Sequence, residues 1–197
     1  SGGHTLLVLA RSFDEVRLLG STRDDAAGEA FDKVACLLEL GYPGGPVIEE
    51  SARTGDPERF DLPRGMIQSG DYDFSFSGVK TAVRYLLDDL HEAGKDLSVA
   101  DIAASFQAAV IDVLVDKLSA AVYEFAARTI VVGGGVVRNG VLVSRLKEEF
   151  KDSDRRLLIA SPDLCSDNAA MIAGLACRKL ASGKTDPLSI DADPNLS

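Results

Sequence analysis

With 197 residues, 46% of them apolar and 26% charged, the chain is long enough for one sizeable hydrophobic core or two small ones and fits no disordered class. A formal net charge of −10 excludes a broad basic face for nucleic acid, so any RNA contact must be local or shared with a partner. Apolar runs are interrupted every few residues by a charge or a glycine, leaving no membrane-spanning stretch. No basic, then apolar, leader pattern is present, and a cytoplasmic location with no membrane partner is the expectation.

Ser1-Gly2-Gly3-His4-Thr5 reads as a turn. Residues 5–10 (TLLVLA) supply one arm and residues 16–21 (VRLLGS) an antiparallel neighbour, so a strand is expected in front of Ser1 and the chain reads as a fragment. Acids at Asp24 and Asp25 open a helix on which Ala30, Phe31, Val34, Leu37 and Leu38 recur at helical spacing. Gly41-Tyr-Pro-Gly-Gly-Pro46 ends it, and Pro46 suits the first turn of a short helix reaching about Ser51. Residues 55–70 read as a loop or a weak edge strand. Residues 72–77 (YDFSFS) alternate aromatic and polar like a short strand, ahead of a helix over residues 79–90.

Ser98 and Asp101 form a capping-box pattern for a long amphipathic helix with Ile102, Phe106, Val110, Val113, Leu114, Leu118, Val122 and Phe125 on its apolar face. Thr129–Val132 then reads as a buried strand. A glycine triplet, Gly133 to Gly135, leads into a helix over 138–150, followed by a strand at 156–160 and a last helix from about Asp167 to Leu180. Two hairpin-connected strands, a helical middle and a strand–helix–strand–helix end make an α/β protein with a mixed sheet flanked by helices.

Cys36, Cys165 and Cys177 are odd in number and lack CxxC spacing, which argues against a disulfide framework or a structural zinc. Cys36 and Cys177 lie in apolar helical patterns and are expected buried. Four segments hold residue types that a nucleotide and a metal need. Gly2 and Gly3, with the Ser1 hydroxyl, can bring donors to a phosphate, or they are a bare hairpin turn. Asp32 can accept both hydroxyls of a ribose, or pair in solvent with Lys33. Gly44 and Gly45 can pass under a nucleoside, or end a helix. The 133–135 glycines bring backbone and helix amides to a ligand, or simply join strand to helix. Asp167 stands where α/β sheets present catalytic carboxylates and can bind a hard divalent ion, unless Ser166 or Asp167 is an ordinary helix cap. Tyr72 to Lys80 is a substrate-facing loop or a bulge beside the core.

Taken in order, SGGHT, DDAAGEAFDK, YPGGP, YDFSFSGVKTA, GGGVVRN and CSDNAAMIA resemble the TsaD/Gcp family of tRNA N6-adenosine threonylcarbamoyltransferases, formerly called O-sialoglycoprotein endopeptidases, over about residues 1–173. The resemblance implies a ribonuclease-H-like domain of the actin/Hsp70-like ATPase (ASKHA) superfamily. Residues 1–183 would be its second domain, with a helical insertion at about 46–127, the first strand absent and the first domain missing. Residues 184–197 would be an irregular tail. The implied reaction moves a threonylcarbamoyl group from threonylcarbamoyl-AMP to N6 of adenosine 37 in tRNAs reading codons that begin with A.

By resemblance, the adenylate-binding positions fall on Ser1, Gly2, Gly3, Asp32, Gly45 and Asn139, and the metal-binding aspartate on Asp167. The implied cofactors are one divalent metal (iron, zinc or magnesium) and an ATP- or AMP-type nucleotide. The implied partners are tRNA and the other subunits of the modifying complex, in bacteria a noncatalytic paralogue and a small ATPase. The family's other metal ligands, two histidines in HxxxH, have no counterpart here, which implies a chain that alone is inactive or nearly so. Three alternatives are a noncatalytic scaffold of the same fold, a sugar or acetate kinase, and a metalloprotease. No Ser–His–Asp set or HExxH pair supports the last.

Overall fold

The computed structural model describes residues 3–13, 15–94, 98–187 and 189–191. They fall into two compact units, Ser1–Ser166 and Asp167–Ser197. The first opens with a hairpin in which β1 (Leu6–Ala10) runs antiparallel to β2 (Val16–Ser21), with an irregularity between Leu7 and Val8. Arg11 N–H donates to Glu15 O at the turn. Helix α1 (Ala27–Leu37) begins after Ala26, a residue with no side-chain cap to offer. Its Ala27 N–H donates instead to Thr5 Oγ1 at 2.9 Å, so the Thr5 hydroxyl just before β1 closes the helix end.

Asp24 and Asp25, expected as helix-dipole partners, are used across the fold. Asp24 accepts the Phe76 and Ser77 amides and the Ser75 and Ser77 hydroxyls, which anchors the YDFSFSG segment at the start of α3 (Ser77–Glu92). Asp25 pairs with Lys33 of α1 and Lys80 of α3. Phe74 and Phe76 enter the core, and Phe74 bridges Thr22. That segment is therefore anchored to the core at the start of a helix and is not a full strand. Residues 55–70 form a loop without a strand.

Helix α2 (Gly44–Ala52) starts two residues before Pro46, so Gly44 and Gly45 open a helix rather than close the previous one. Helix α1 closes on Glu39 in the left-handed region: Leu40 N–H reaches Ala35 O and Glu39 N–H reaches Cys36 O. Helix α4 (Val99–Glu124) is capped by Ser98, which accepts from Asp101 N–H. The Asp101 carboxylate also accepts Asp56 N–H at 2.8 Å from the adjoining loop. The helix is buried on nearly all sides rather than along one stripe.

Strand β3 (Thr129–Val132) pairs in parallel with β4 (Arg156–Ile159) through α5 (Gly140–Phe150). Only Ile130 of β3 is buried while Val131 is 71% exposed, because a strand's side chains alternate and one face of this ladder is uncovered. Between β3 and α5 the chain makes a 3-10 turn, Gly135–Arg138, so the α-helix begins only after Asn139. Among the described residues the expected mixed sheet is two separate two-stranded ladders, one antiparallel and one parallel. In the second unit, α6 (Ala169–Ala181) is capped by Asn168, not by Ser166 or Asp167.

The core has two clusters joined by α4. In one, Phe31 of α1 meets Phe106 of α4 edge-on, with ring centroids 5.2 Å apart. Full burial of each such ring contributes roughly 1.5–3 kcal/mol. The other cluster packs Ile111 and Val115 against Ile130, Leu142, Leu146 and Phe150. Cys36 and Cys177, expected buried, are exposed, as is Leu37, and Cys165 is buried. No helix among the described residues is long and apolar enough to cross a membrane.

Two predictions follow from these caps and anchors. Ala126, after α4, holds a left-handed φ of 48° in the same cap geometry as Glu39, where a β-carbon is strained. Ala126→Gly should raise stability by about 1 kcal/mol in urea unfolding, a gain that an unstrained cap would not show. Burial pushes the Asp24 carboxyl up, but its bonds from Ser75, Ser77 and the Phe76 amide outweigh this and hold it below the ordinary 3.8. Burial opposes Asp25 as well, and bonds from Lys33 and Lys80 again win. Their stabilisation is complete above the unfolded-state value and is lost as pH falls through the lower folded-state values. Asp24→Asn should flatten the fall in stability below about pH 4; an unaltered acid limb would show that Asp24 contributes nothing to it.

Candidate functional site

The glycine triplet stands where two cavities of the first unit meet. One, of ≈ 470 Å³, has three walls: Gly28, Phe31 and Asp32 of α1, the Tyr42–Pro46 segment with Glu49 of α2, and the 3-10 turn with Asn139. The other, of ≈ 320 Å³, is mainly apolar and is lined by His4 to Leu7, by Val131 to Gly134 and by α4 and α5 side chains. Val136 lines both. Residues of β1 and β3 border the second cavity, and none from β2 or β4 does.

Backbone amides build the first cavity. Gly44 N–H donates to Asp32 Oδ1 at 2.7 Å, which holds the α2 N-terminus against the middle of α1. The approach is so close that a β-carbon on Gly44 would lie 2.5 Å from Asp32 Cα and from Phe31 O, so only glycine fits. Opposite, Glu49 Oε1 accepts Gly140 N–H at 2.9 Å, placing a carboxylate on the positive end of α5. Asn139 caps the same helix through Leu142 N–H at 3.0 Å and is 7% exposed.

The Asp32 carboxylate therefore keeps acceptor positions after taking one amide, and no cation pairs with it among the described residues. Lys33 turns instead to Asp25 and Glu29, so Asp32 is not half of a solvated Asp–Lys pair. Carboxylate acceptors at Asp32 and Glu49, an amide at Asn139, the Arg138 guanidinium and the ring of Phe31 surround a floor left open by Gly45. Such a set can hold a polyhydroxylated group together with a planar ring.

Of the residues singled out by sequence, Asp32, Gly45 and Asn139 come together here from three distant segments. Gly3 is exposed and lines neither cavity, and Ser1 and Gly2 lie outside the described residues. Asp167 belongs to the second unit, immediately before the cap of α6. No group of three or more His, Cys, Asp or Glu among the described residues is disposed to hold a metal ion. Sequence reasoning passed over Glu49 and Arg138. Glu49 lies four residues after Gly45 on one helix, a spacing that puts both on the same face, and Arg138 adjoins Asn139.

Comparison with known proteins follows the same segments. The family profile for tRNA N6-adenosine threonylcarbamoyltransferase (TsaD) matches residues 1–174. A protein of that name from Synechococcus sp. (strain JA-3-3Ab) is 48% identical over 197 residues, covering 100% of this chain and 54% of the relative. One from Thermotoga neapolitana is 46% identical over 201 residues, covering 100% of this chain and 59% of the relative. The chain thus spans somewhat over half the length of the curated relatives it matches. The crystal structure of T. kodakarensis HypF shares the fold with a TM-score of 0.50 at 18% identity, over 83% of this chain and 21% of that one.

The two neighbouring glycines separate packing from cavity space. Gly44→Ala should lower stability by about 1–3 kcal/mol, the usual result of forcing atoms into a filled contact. Gly45→Ala meets nothing within 4 Å and should leave urea unfolding within about 1 kcal/mol of the parent. Equal stability of the two variants would show that the α1–α2 contact yields freely.

Proposed function

Because the chain belongs to the family of tRNA N6-adenosine threonylcarbamoyltransferases (TsaD), we propose that it carries the adenylate-binding part of such an enzyme. The whole protein would transfer the threonylcarbamoyl group of threonylcarbamoyl-AMP to N6 of adenosine 37 in tRNAs reading codons that begin with A. The observation that carries this is the joint lining of one ≈ 470 Å³ cavity by Asp32, Gly45 and Asn139.

Adenosine offers two ribose hydroxyls and a planar base. In this proposal Asp32 accepts the ribose hydroxyls with the acceptor positions that Gly44 leaves free. Gly45, without a side chain, lets a ring lie against the first turn of α2, and Asn139 supplies a fixed amide. The 133–135 glycines, with Gly3, Gly2 and Ser1, would present donors to the phosphate side. In the transfer, the N6 amine attacks the carbamoyl carbon, the carbon–oxygen bond to phosphate breaks, AMP leaves and N6 gives up a proton. The chain's residues hold and orient the leaving nucleotide, which turns an encounter into a near-unimolecular step.

The family resemblance also implies a divalent metal, and Asp167 is the residue that would give it a carboxylate. The described residues do not by themselves fit a complete metal site, since no three-ligand group is present among them. Their part is binding and orientation. The proposed fold is the second domain of an actin/Hsp70-like ATPase, over residues 1–183 with a helical insertion at about 46–127. A further strand between β1 and β3 would join the two ladders, and support for it is that both strands border one apolar cavity. A net charge of −10 favours tRNA contacts shared with the partner subunits of the complex, a noncatalytic paralogue and a small ATPase, in the cytoplasm.

Titration calorimetry with AMP tests the site. Asp32→Ala and Asn139→Ala should each weaken AMP binding by about 1–3 kcal/mol, the cost of leaving a polar partner unmatched. Gly45→Ala should also weaken it, with folding stability unchanged. A dissociation constant that is the same in all three variants as in the parent rejects the adenylate assignment.

A further inference from the structure

Gln107 is a buried amide in the middle of an apolar helix, 6% exposed, and no sequence feature distinguishes it from its core neighbours. Its Oε1 accepts from Asn139 Nδ2 at 2.7 Å, across 32 residues of sequence. We infer that Gln107 is a positioning residue for the nucleotide, setting Asn139 as a hydrogen-bond donor towards the cavity. This inference rests on the adenylate assignment of that cavity.

The orientation follows from the backbone outward. Leu142 N–H can only donate, so the atom of the Asn139 side chain that meets it at 3.0 Å must be Oδ1. The atom that meets Gln107 is then Nδ2, a donor only, and Gln107 must present Oε1 to it. The two contacts remove the ambiguity that an isolated asparagine amide would have. They leave Asn139 with its second Nδ2 hydrogen and one Oδ1 lone pair, and the residue lines the cavity. Without the Gln107 acceptor, the helix cap alone would hold one end of the amide, and its plane could turn about that single bond.

The position of Gln107 makes it suited to this work. It sits on α4, the helix shared by both core clusters, so its backbone is held in place by the core. Its neighbour Phe106 packs on Phe31, which lines the same cavity. One turn of α4 thus sets both an apolar wall and, through Asn139, a polar contact of the proposed nucleotide site.

The test uses the whole chain, AMP as the probe, and four variants: Gln107→Met, Gln107→Glu, Asn139→Ala and the Met/Ala double variant. Methionine conserves volume and removes the acceptor; glutamate keeps an acceptor oxygen. Gln107→Met should weaken AMP binding about five- to tenfold, the effect of losing one orienting hydrogen bond, and Gln107→Glu should restore most of it. On the Asn139→Ala background, Gln107→Met should cause no further loss, because its effect passes through Asn139. If Asn139→Ala weakens AMP binding and Gln107→Met does not, the positioning role is overturned and the adenylate assignment stands. If the two effects add, or if glutamate fails as badly as methionine, the role is likewise overturned. If neither single variant alters AMP binding, the Asn139 contact and with it the positioning role are overturned, and Asp32→Ala and Gly45→Ala then decide the adenylate assignment. Should Gln107→Met not fold, side-chain amide NMR of the unaltered chain decides: one Asn139 Nδ2 proton should exchange markedly more slowly than the other, and equal rates overturn the inference.

Discussion

Everything in the first unit is arranged around a 26-residue helix that has almost no face left for water. A polar side chain on such a helix must find a partner inside the protein or carry the cost of an unmatched group, of order 1–3 kcal/mol. The partners it finds are loops. Ser105 Oγ accepts Phe60 N–H and donates to Asp56 O. Lys117, 2% exposed, donates to Asp71 O and to Ser69 Oγ. Gln107 takes the amide of Asn139. Ser119 is the exception on this helix among the described residues, with a buried hydroxyl that has no partner. Three irregular segments are thereby held by the most rigid element of the fold, and the glycine-rich turn at the candidate site is among them.

The acid excess has a related explanation. A solvated surface accounts for part of it, yet several carboxylates are spent on backbone amides. Asp24 takes the amides of Phe76 and Ser77, Asp32 that of Gly44, Glu49 that of Gly140, Asp73 that of Ser21 and Asp101 that of Asp56. Each joins segments that lie apart in sequence, and each sets an anion against the partial positive charge of an N–H, with Asp73 pairing with Arg23 as well. Asp71 lies below the usual carboxylate range mainly through the Ser69 hydroxyl. At the cavity, the amides of Gly44 and Gly140 fix where the oxygens of Asp32 and Glu49 stand.

Much of the element order was open to sequence reasoning because it depends on local periodicity. Residues 129–132 are all β-branched as a strand favours, Ile102 to Val122 recur as a helix should, and the order of strands and helices needs nothing more. The site was legible in the same limited way. The glycines at 44–45 and 133–135 marked places where backbone can approach a ligand, and the ordered motifs carried the resemblance to the family that the profile matches.

Sequence by itself thus determined the residue types at the bends, the helical and strand periods and the sign of the charge, since each is a property of a few neighbouring residues. Only the tertiary structure decided the rest. Gly44 proved to be a contact glycine because α2 crosses α1 at Asp32, not because its dihedral angle demands one. The acids at Asp24 and Asp25 left their own helix end for α3, and Thr5 took over that end. Gln107, unremarked among Phe106 and Ala109, met Asn139. In every case the deciding partner is tens of residues away or on another element, and a buried polar group is satisfied by whichever segment the packing of the core brings to it.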